Sequence, residues 1–216
     1  MKKVVYTLLV SILCINLLSA QKSDQKLDNK NNASENNRWI LGFGVNAVDN
    51  SNAKFEDLTN TDRWAFAKAP FYLNVEANID GQFSVATNLS FNYFTEGKIF
   101  EGATILGEDE GGNDTGYLAV DLAIKYSLGK LLNSKSLDPY VFVGPGISHF
   151  GDYKTQENPT ELVEAINIFT FNTGFGMNYW FSTTWGVNLN VNAKWGVATE
   201  YTNHFQSSLG ILYRIN

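Results

Sequence analysis

Strict alternation is the feature that most limits what this chain can become. Trp39, Leu41, Phe43, Val45 and Ala47 are apolar, and Ile40, Gly42, Gly44 and Asn46 stand between them. A helix repeats its apolar face every three or four residues, so a period of two specifies a strand. The period returns in Phe71, Leu73, Val75, Ala77 and Ile79, then in Phe83, Val85, Thr87, Leu89, Phe91 and Tyr93. It returns again in Leu118, Val120, Leu122, Ile124 and Tyr126, in Phe169, Phe171, Thr173, Phe175, Met177 and Tyr179, and in Val187, Leu189, Val191, Ala193 and Trp195. The last row is Phe205, Leu209, Ile211, Tyr213 and Ile215. Between Pro139 and Ser148 glycines 144 and 146 blur the rhythm, and Val141, Val143 and Ile147 are assigned to the apolar face.

About eight strands of about ten residues result, the length that crosses a bilayer at a tilt. The connections alternate as well. Segments 80–82, 128–138 and 182–184 are the shorter ones, and 48–69, 95–116, 149–166 and 196–204 are mostly long and polar. Short turns on one side and long loops on the other are the habit of a membrane barrel. The long loops are expected outside the cell and both termini in the periplasm.

The intervening face is rich in asparagine, at positions 74, 78, 88, 92, 172, 178, 188, 190 and 192. A soluble sandwich also alternates, so alternation alone does not decide. Aromatic residues near the ends of the apolar rows do: Trp39, Phe71, Phe83, Tyr93, Tyr126, Tyr179, Trp185, Trp195, Phe205 and Tyr213 read as the two interfacial girdles of a bilayer. The expected fold is all-β, an eight-stranded antiparallel transmembrane β-barrel, because only closure leaves no unpaired strand edge in hydrocarbon.

The N-terminal residues set the compartment. Lys2 and Lys3 precede the apolar run Val4–Leu18, and Leu18-Ser19-Ala20 supplies small residues before Gln21. Residues 1–20 are therefore read as a cleaved signal peptide, too short for a spanning helix. Residues 21–37 hold almost nothing apolar and read as a flexible periplasmic linker. Residues 38–216 form the barrel domain. Cys14 is the only cysteine, and it falls inside the leader, so no disulfide or thiolate metal site is expected. A formal net charge of −6 argues against nucleic acid as a partner.

Three stretches carry a resemblance. Trp39-Ile40-Leu41-Gly42-Phe43-Gly44-Val45-Asn46-Ala47-Val48-Asp49 resembles the opening strand of the N-terminal barrel of outer-membrane protein A-like proteins. Asp138-Pro139-Tyr140-Val141-Phe142-Val143-Gly144-Pro145-Gly146 is similar to a mid-barrel strand of that group, and Gly174-Phe175-Gly176-Met177-Asn178-Tyr179-Trp180-Phe181 to its sixth strand and turn. The resemblance implies the cell outer membrane of a Gram-negative bacterium. It implies lipids and lipopolysaccharide as surroundings and the barrel assembly machinery as a partner. Two departures stand out. The sequence reaches Asn216 without the peptidoglycan-binding domain common in that family, so wall tethering is not expected. It also lacks a terminal aromatic residue.

Chemistry is sparse. His149 and His204 lie near loop-side strand ends without a ligand pattern and read as solvated loop residues rather than a metal site. Glu108-Asp109-Glu110-Gly111-Gly112-Asn113-Asp114 is an acidic loop tip without EF-hand spacing. Ser148, His149, Asp152 and His204 are the available members of a rim enzyme site, and no nucleophile–base signature joins them. No catalytic residue, cofactor or metal is expected. The expected role is structural or surface-interacting, with a narrow solute pore or an outer-rim enzyme as alternatives.

The remaining candidates are charges on the inner face: Glu76, Asp121, Lys125, Lys194 and Arg214. An eight-stranded barrel is just wide enough for side chains to fill, and a charge buried there needs a partner. Position along the strands predicts one network, Glu76 and Asp121 with Lys125 and Arg214, and leaves Lys194 apart near the outer end.

Overall fold

A computed structural model describes residues 39–51, 60–130, 132–134, 136–197 and 203–215. The leader and linker assigned from sequence lie outside these residues. Eight long strands follow in order: β1 Trp39–Asp49, β2 Ala67–Asp80, β3 Phe83–Phe94, β4 Thr115–Ser127, β5 Leu137–Phe150, β6 Ile166–Trp180, β7 Trp185–Gly196 and β8 His204–Ile215. Each pairs antiparallel with its neighbour in sequence, and β8 returns to β1. The closing ladder runs from Trp39 opposite Ile215 to Asp49 opposite Phe205. The barrel expected from the alternation is the fold that forms.

The outer surface is apolar and the interior polar. Leu41, Phe43, Val45, Phe169, Phe171, Phe175, Leu189, Leu209 and Ile211 are exposed on the outside, whereas Asn74, Glu76, Asp121, Asn172, Asn188 and Lys194 are buried within. A water-soluble barrel would invert this. The arrangement suits strands whose outer solvent is hydrocarbon and whose backbone groups pair along closed ladders. Aromatic pairs such as Trp185 with Tyr213 and Phe83 with Tyr126 lie near the end that carries the short connections.

The parity of every strand, including the glycine-interrupted β5, matches the alternation. Glycine at inward positions of β6 makes room for aromatics from β5: a Cβ on Gly174 would strike Phe142, and one on Gly176 would come within 2.5 Å of the Tyr140 hydroxyl.

The loops differ from their polar appearance in sequence. Segment 95–114 folds back as a small hairpin, Ile99–Phe100 against Ala103–Thr104. Its turn residues Glu101 and Gly102 have φ of 51° and 86°, the positive pair that a tight type I′ turn requires. The hairpin delivers Phe100 and Ile105 into a buried cluster with Val48, Phe94, Tyr117, Phe150, Tyr153 and Ile168. Phe100 packs on Phe94, Phe150 and Tyr153 at ring separations of 4.9, 5.1 and 4.8 Å. An aromatic cap therefore closes the long-loop end of the lumen.

Candidate functional site

The lumen is the candidate site, and it is built in tiers along the strands. At the short-turn end Trp180, Ile40 and Leu212 form a small apolar cluster. The Arg214 guanidinium lies 3.4 Å from the centroid of the Trp180 ring and donates toward the Thr183 carbonyl.

The next tier is an ion pair. Lys125 donates to Glu76 Oε2, Ser84 Oγ donates to Glu76 Oε1 at 2.7 Å, and the Lys125 ammonium sits 3.9 Å from the Tyr140 ring centroid. Glu76 comes from β2 and Lys125 from β4, so the pair reaches over β3.

Side-chain amides fill the middle. Asn74 Nδ2 and Tyr72 OH both donate to Asn88 Oδ1, at 2.7 and 3.1 Å. Asn190 donates to Tyr72 OH at 3.3 Å and to Asn188 Oδ1 at 3.0 Å. Asn188 in turn donates to Asn178 Oδ1 and Tyr140 OH, both at 2.7 Å. Each asparagine carries two donors and an acceptor, which lets one residue type link β2, β3, β5, β6 and β7 across the lumen. The space left in this tier is about 20 Å³, bordered by Tyr72, Asn88, Asp121, Lys125 and Asn190. That is room for about one water molecule.

Toward the long-loop end lies a second ion pair. Lys194 of β7 donates to both oxygens of Asp121 of β4, at 2.8 and 3.0 Å, and to Tyr117 OH at 3.0 Å. Asn172 adds a bond to Asp121 Oδ1 at 2.7 Å. Tyr117 donates to Gln206 Oε1 at 3.1 Å, and Gln206 donates to Ser90 Oγ at 2.6 Å. Ser148 Oγ and His204 Nε2 are 3.0 Å apart beside them. The aromatic cap follows directly, with Tyr117 belonging to both.

Two sequence expectations are corrected here. The four residues Glu76, Asp121, Lys125 and Arg214 do not form one network. Asp121 pairs with Lys194, the residue set aside, because both side chains point into the lumen and the long lysine stem spans the difference in strand position. Arg214 stacks on Trp180 instead of meeting Glu76. His204 is also not a solvated loop residue. It is buried at 1 % exposure, and its even-numbered place in β8 puts it inside. That parity was legible in the sequence, since Gln206 and Ser208 share it.

Of the four rim candidates, Ser148 and His204 meet. His149 bonds Asn167 on another face at 2.9 Å, and Asp152 is engaged through its carbonyl by Asn113. Among the described residues no three His, Cys, Asp or Glu side chains gather in a metal-holding group. The acidic loop forms a short 3₁₀ turn, Glu108–Glu110.

Outside the barrel wall two loop groups have displaced titrations. Burial, reinforced by the Glu101 carboxylate, pushes the Tyr153 phenol above its ordinary value. Backbone hydrogen bonds, including that from Thr104, hold the exposed Glu157 carboxyl below its usual range.

No family model and no curated sequence matches the chain. Solved structures do. It is similar to the outer membrane protein OprG from Pseudomonas aeruginosa, with a TM-score of 0.55 and 13% identity over 82% of this chain and 95% of that one. It is similar to Neisserial surface protein A, at 0.51 and 8% over 83% and 97%. It is also similar to the N-terminal β-barrel domain of Pseudomonas aeruginosa OprF, at 0.50 and 11% over 81% and 96%. Identities this low speak for the fold alone, and the fold they share with this chain is the eight-stranded outer-membrane β-barrel.

Proposed function

We propose that this chain is an outer-membrane protein with a structural or surface-interaction role, whose barrel carries no solute stream and no catalytic centre. The observation that carries the reading is the filled lumen. Two buried ion pairs, a belt of asparagines and an aromatic cap occupy it from end to end. Opening a path would strand charges in a dry interior, at a cost of several kcal/mol for each ion. The barrel then serves as a rigid anchor in the bilayer, inserted by the barrel assembly machinery and surrounded by lipid and lipopolysaccharide. The long loops are its working surface outside the cell.

The enzyme alternative has Ser148 and His204 in its favour, since they lie within hydrogen-bond reach. Both are fully buried beneath the cap, and a nucleophile needs a path for its substrate. The pair is read here as part of the lumen filling.

Two measurements test the proposal. Purified protein in planar bilayers is expected to show no stable conductance, and large porin-like openings would overturn the closed lumen. A cysteine at Asp109, exposed in a long loop, is expected to react with an impermeant reagent on whole cells, and one at Thr183 to stay protected. Labelling at Thr183 alone would reverse the orientation.

A further inference from the structure

The outer wall carries a hollow that the lumen does not explain. The β1–β2 ladder ends where Gly44 meets Tyr72. Beyond it β1 pairs with Trp64–Ala65 instead. Pro70 stands at this break and has no amide to continue a ladder. The β2–β3 register also shifts between Ala67 and Phe71. Asn46 closes the gap from inside by donating to the carbonyls of Phe71 and Phe91. On the outside, Ala47 faces Ser207 across the closing ladder. Two small residues opposite each other leave a depression, walled by Val45 and Leu209 on one side and by Phe66 and Pro70 on the other. Its volume is about 330 Å³.

The hollow lies among the outward apolar rows, and Ala47 is two residues from the long-loop end of β1. In a bilayer that position belongs to the acyl chains of the leaflet on the long-loop side. A cation stands beside Phe66, one of its walls. Lys98 Nζ is 4.9 Å from the centroid of the Phe66 ring and donates to the Thr61 carbonyl at 2.8 Å. An ammonium has three donors, so two remain to be offered to a headgroup. Carbonyl anchoring and ring contact both hold the charge in place against the Phe66 wall.

We infer that this hollow is a lipid site, seating one acyl chain of a lipid with a net anionic phosphate headgroup from the long-loop leaflet, with Lys98 reaching the phosphate. The shape favours a chain over a protein partner. The depression is one strand pair wide, and bulky side chains flank it on both sides. Charge favours an anionic phospholipid over a zwitterionic one, since a headgroup cation beside the phosphate partly cancels the attraction to the lysine. The inference rests on the membrane reading above and adds a defined position and headgroup chemistry to it.

The test is native mass spectrometry of the full chain folded in detergent and supplied with equal phosphatidylglycerol and phosphatidylcholine. The wild type is expected to retain one lipid, with phosphatidylglycerol preferred several-fold. Ser207→Phe fills the hollow and is expected to lose the adduct. Val187→Phe, a comparable change elsewhere on the outer wall, is expected to keep it. Lys98→Gln is expected to retain a lipid and lose the headgroup preference. Heat-modifiable gel migration establishes that each variant is folded. A folded Ser207→Phe protein that still holds its lipid like the wild type overturns the site, and unchanged selectivity in Lys98→Gln overturns the headgroup contact. Insertion into vesicles is scored separately. A wild type that inserts but retains no lipid refutes the site alone, and one that fails to insert refutes the membrane reading beneath it.

Discussion

Lys194 sets its ammonium between the two carboxylate oxygens of Asp121, at 2.8 and 3.0 Å, where neither side chain reaches solvent. The two residues come from β7 and β4, with β5 and β6 between them in the wall, so their contact crosses the lumen. Removing one partner of such a pair leaves an uncompensated charge, at a cost of about 3–5 kcal/mol. Lys194→Met is therefore expected to lower the unfolding free energy by about that amount, read from urea titration of the barrel folded in lipid vesicles. Asp121→Asn added to it is expected to recover most of the loss. A single variant as stable as the wild type would mean that water already screens the pair.

Glu76 and Lys125 fill the other half of the lumen, and truncating both leaves a cavity rather than a stranded charge. Glu76→Ala with Lys125→Ala is expected to lower the unfolding free energy by about 2–5 kcal/mol and to stay non-conducting in planar bilayers, because the Asp121–Lys194 pair and the aromatic cap still close the lumen. Arg214→Gln should behave differently. Its contact with Trp180 is partly solvated, and a cation–π contact of that kind contributes about 0.5–1 kcal/mol. A modest drop in stability with no new conductance is expected. Equal effects from the two changes would contradict the tiered arrangement.

The strands were legible because side-chain parity is a local property. Phe43, Val75 and Leu189 declare their face by their neighbours alone, and even the glycine-broken β5 kept its parity. The pairing of interior charges is not local. Strand tilt and stagger set which residues share a height, and a lysine stem covers the remaining difference, so position along β7 was a poor guide to Lys194. The cap was hidden for another reason. Phe100 and Ile105 belong to two short apolar pairs, Ile99-Phe100 and Ile105-Leu106, in an otherwise polar segment, and only the hairpin turn at Glu101 and Gly102 brings them onto Phe94 and Phe150. The lipid hollow has no sequence signature. It depends on Ala47 and Ser207 meeting across a ladder that joins the two ends of the barrel.

That same ladder depends on glycine. Gly44 is paired with Gly210, and a Cβ on Gly44 would overlap the Leu209 carbonyl and the Gly210 backbone. Backbone cannot move aside as a flexible side chain can, so β1 and β8 would have to separate. Gly44→Val is expected to prevent closure and to abolish the heat-modifiable gel shift of the folded barrel. Gly97→Ala supplies the contrast. Its φ of 76° imposes strain, but nothing lies within 4 Å of the added carbon, so a cost of about 1 kcal/mol is expected with folding intact. Folding of Gly44→Val with wild-type yield would show that the seam is looser than its geometry.

The cap carries a pH dependence of its own. Tyr153 packs on Phe100 and donates to Glu101 Oε2 at 3.3 Å. Burial raises its pKa first, and the nearby carboxylate raises it further. A group with a raised folded-state pKa stabilises the fold fully below its unfolded value, about 10 for tyrosine. That contribution falls above this pH and is lost as pH climbs through the raised value. Tyr153→Phe keeps the ring contact and removes both the hydrogen bond and the titration. It is expected to be slightly less stable than the wild type at pH 8, by about 0.5–1.5 kcal/mol for one hydrogen bond. The gap in thermal unfolding midpoint between wild type and variant is expected to narrow at about pH 11, above the ordinary phenol range. Other buried tyrosines weaken both proteins alike, so the difference isolates Tyr153. A gap that stays constant across that range would remove Tyr153 as the alkaline weak point of the cap.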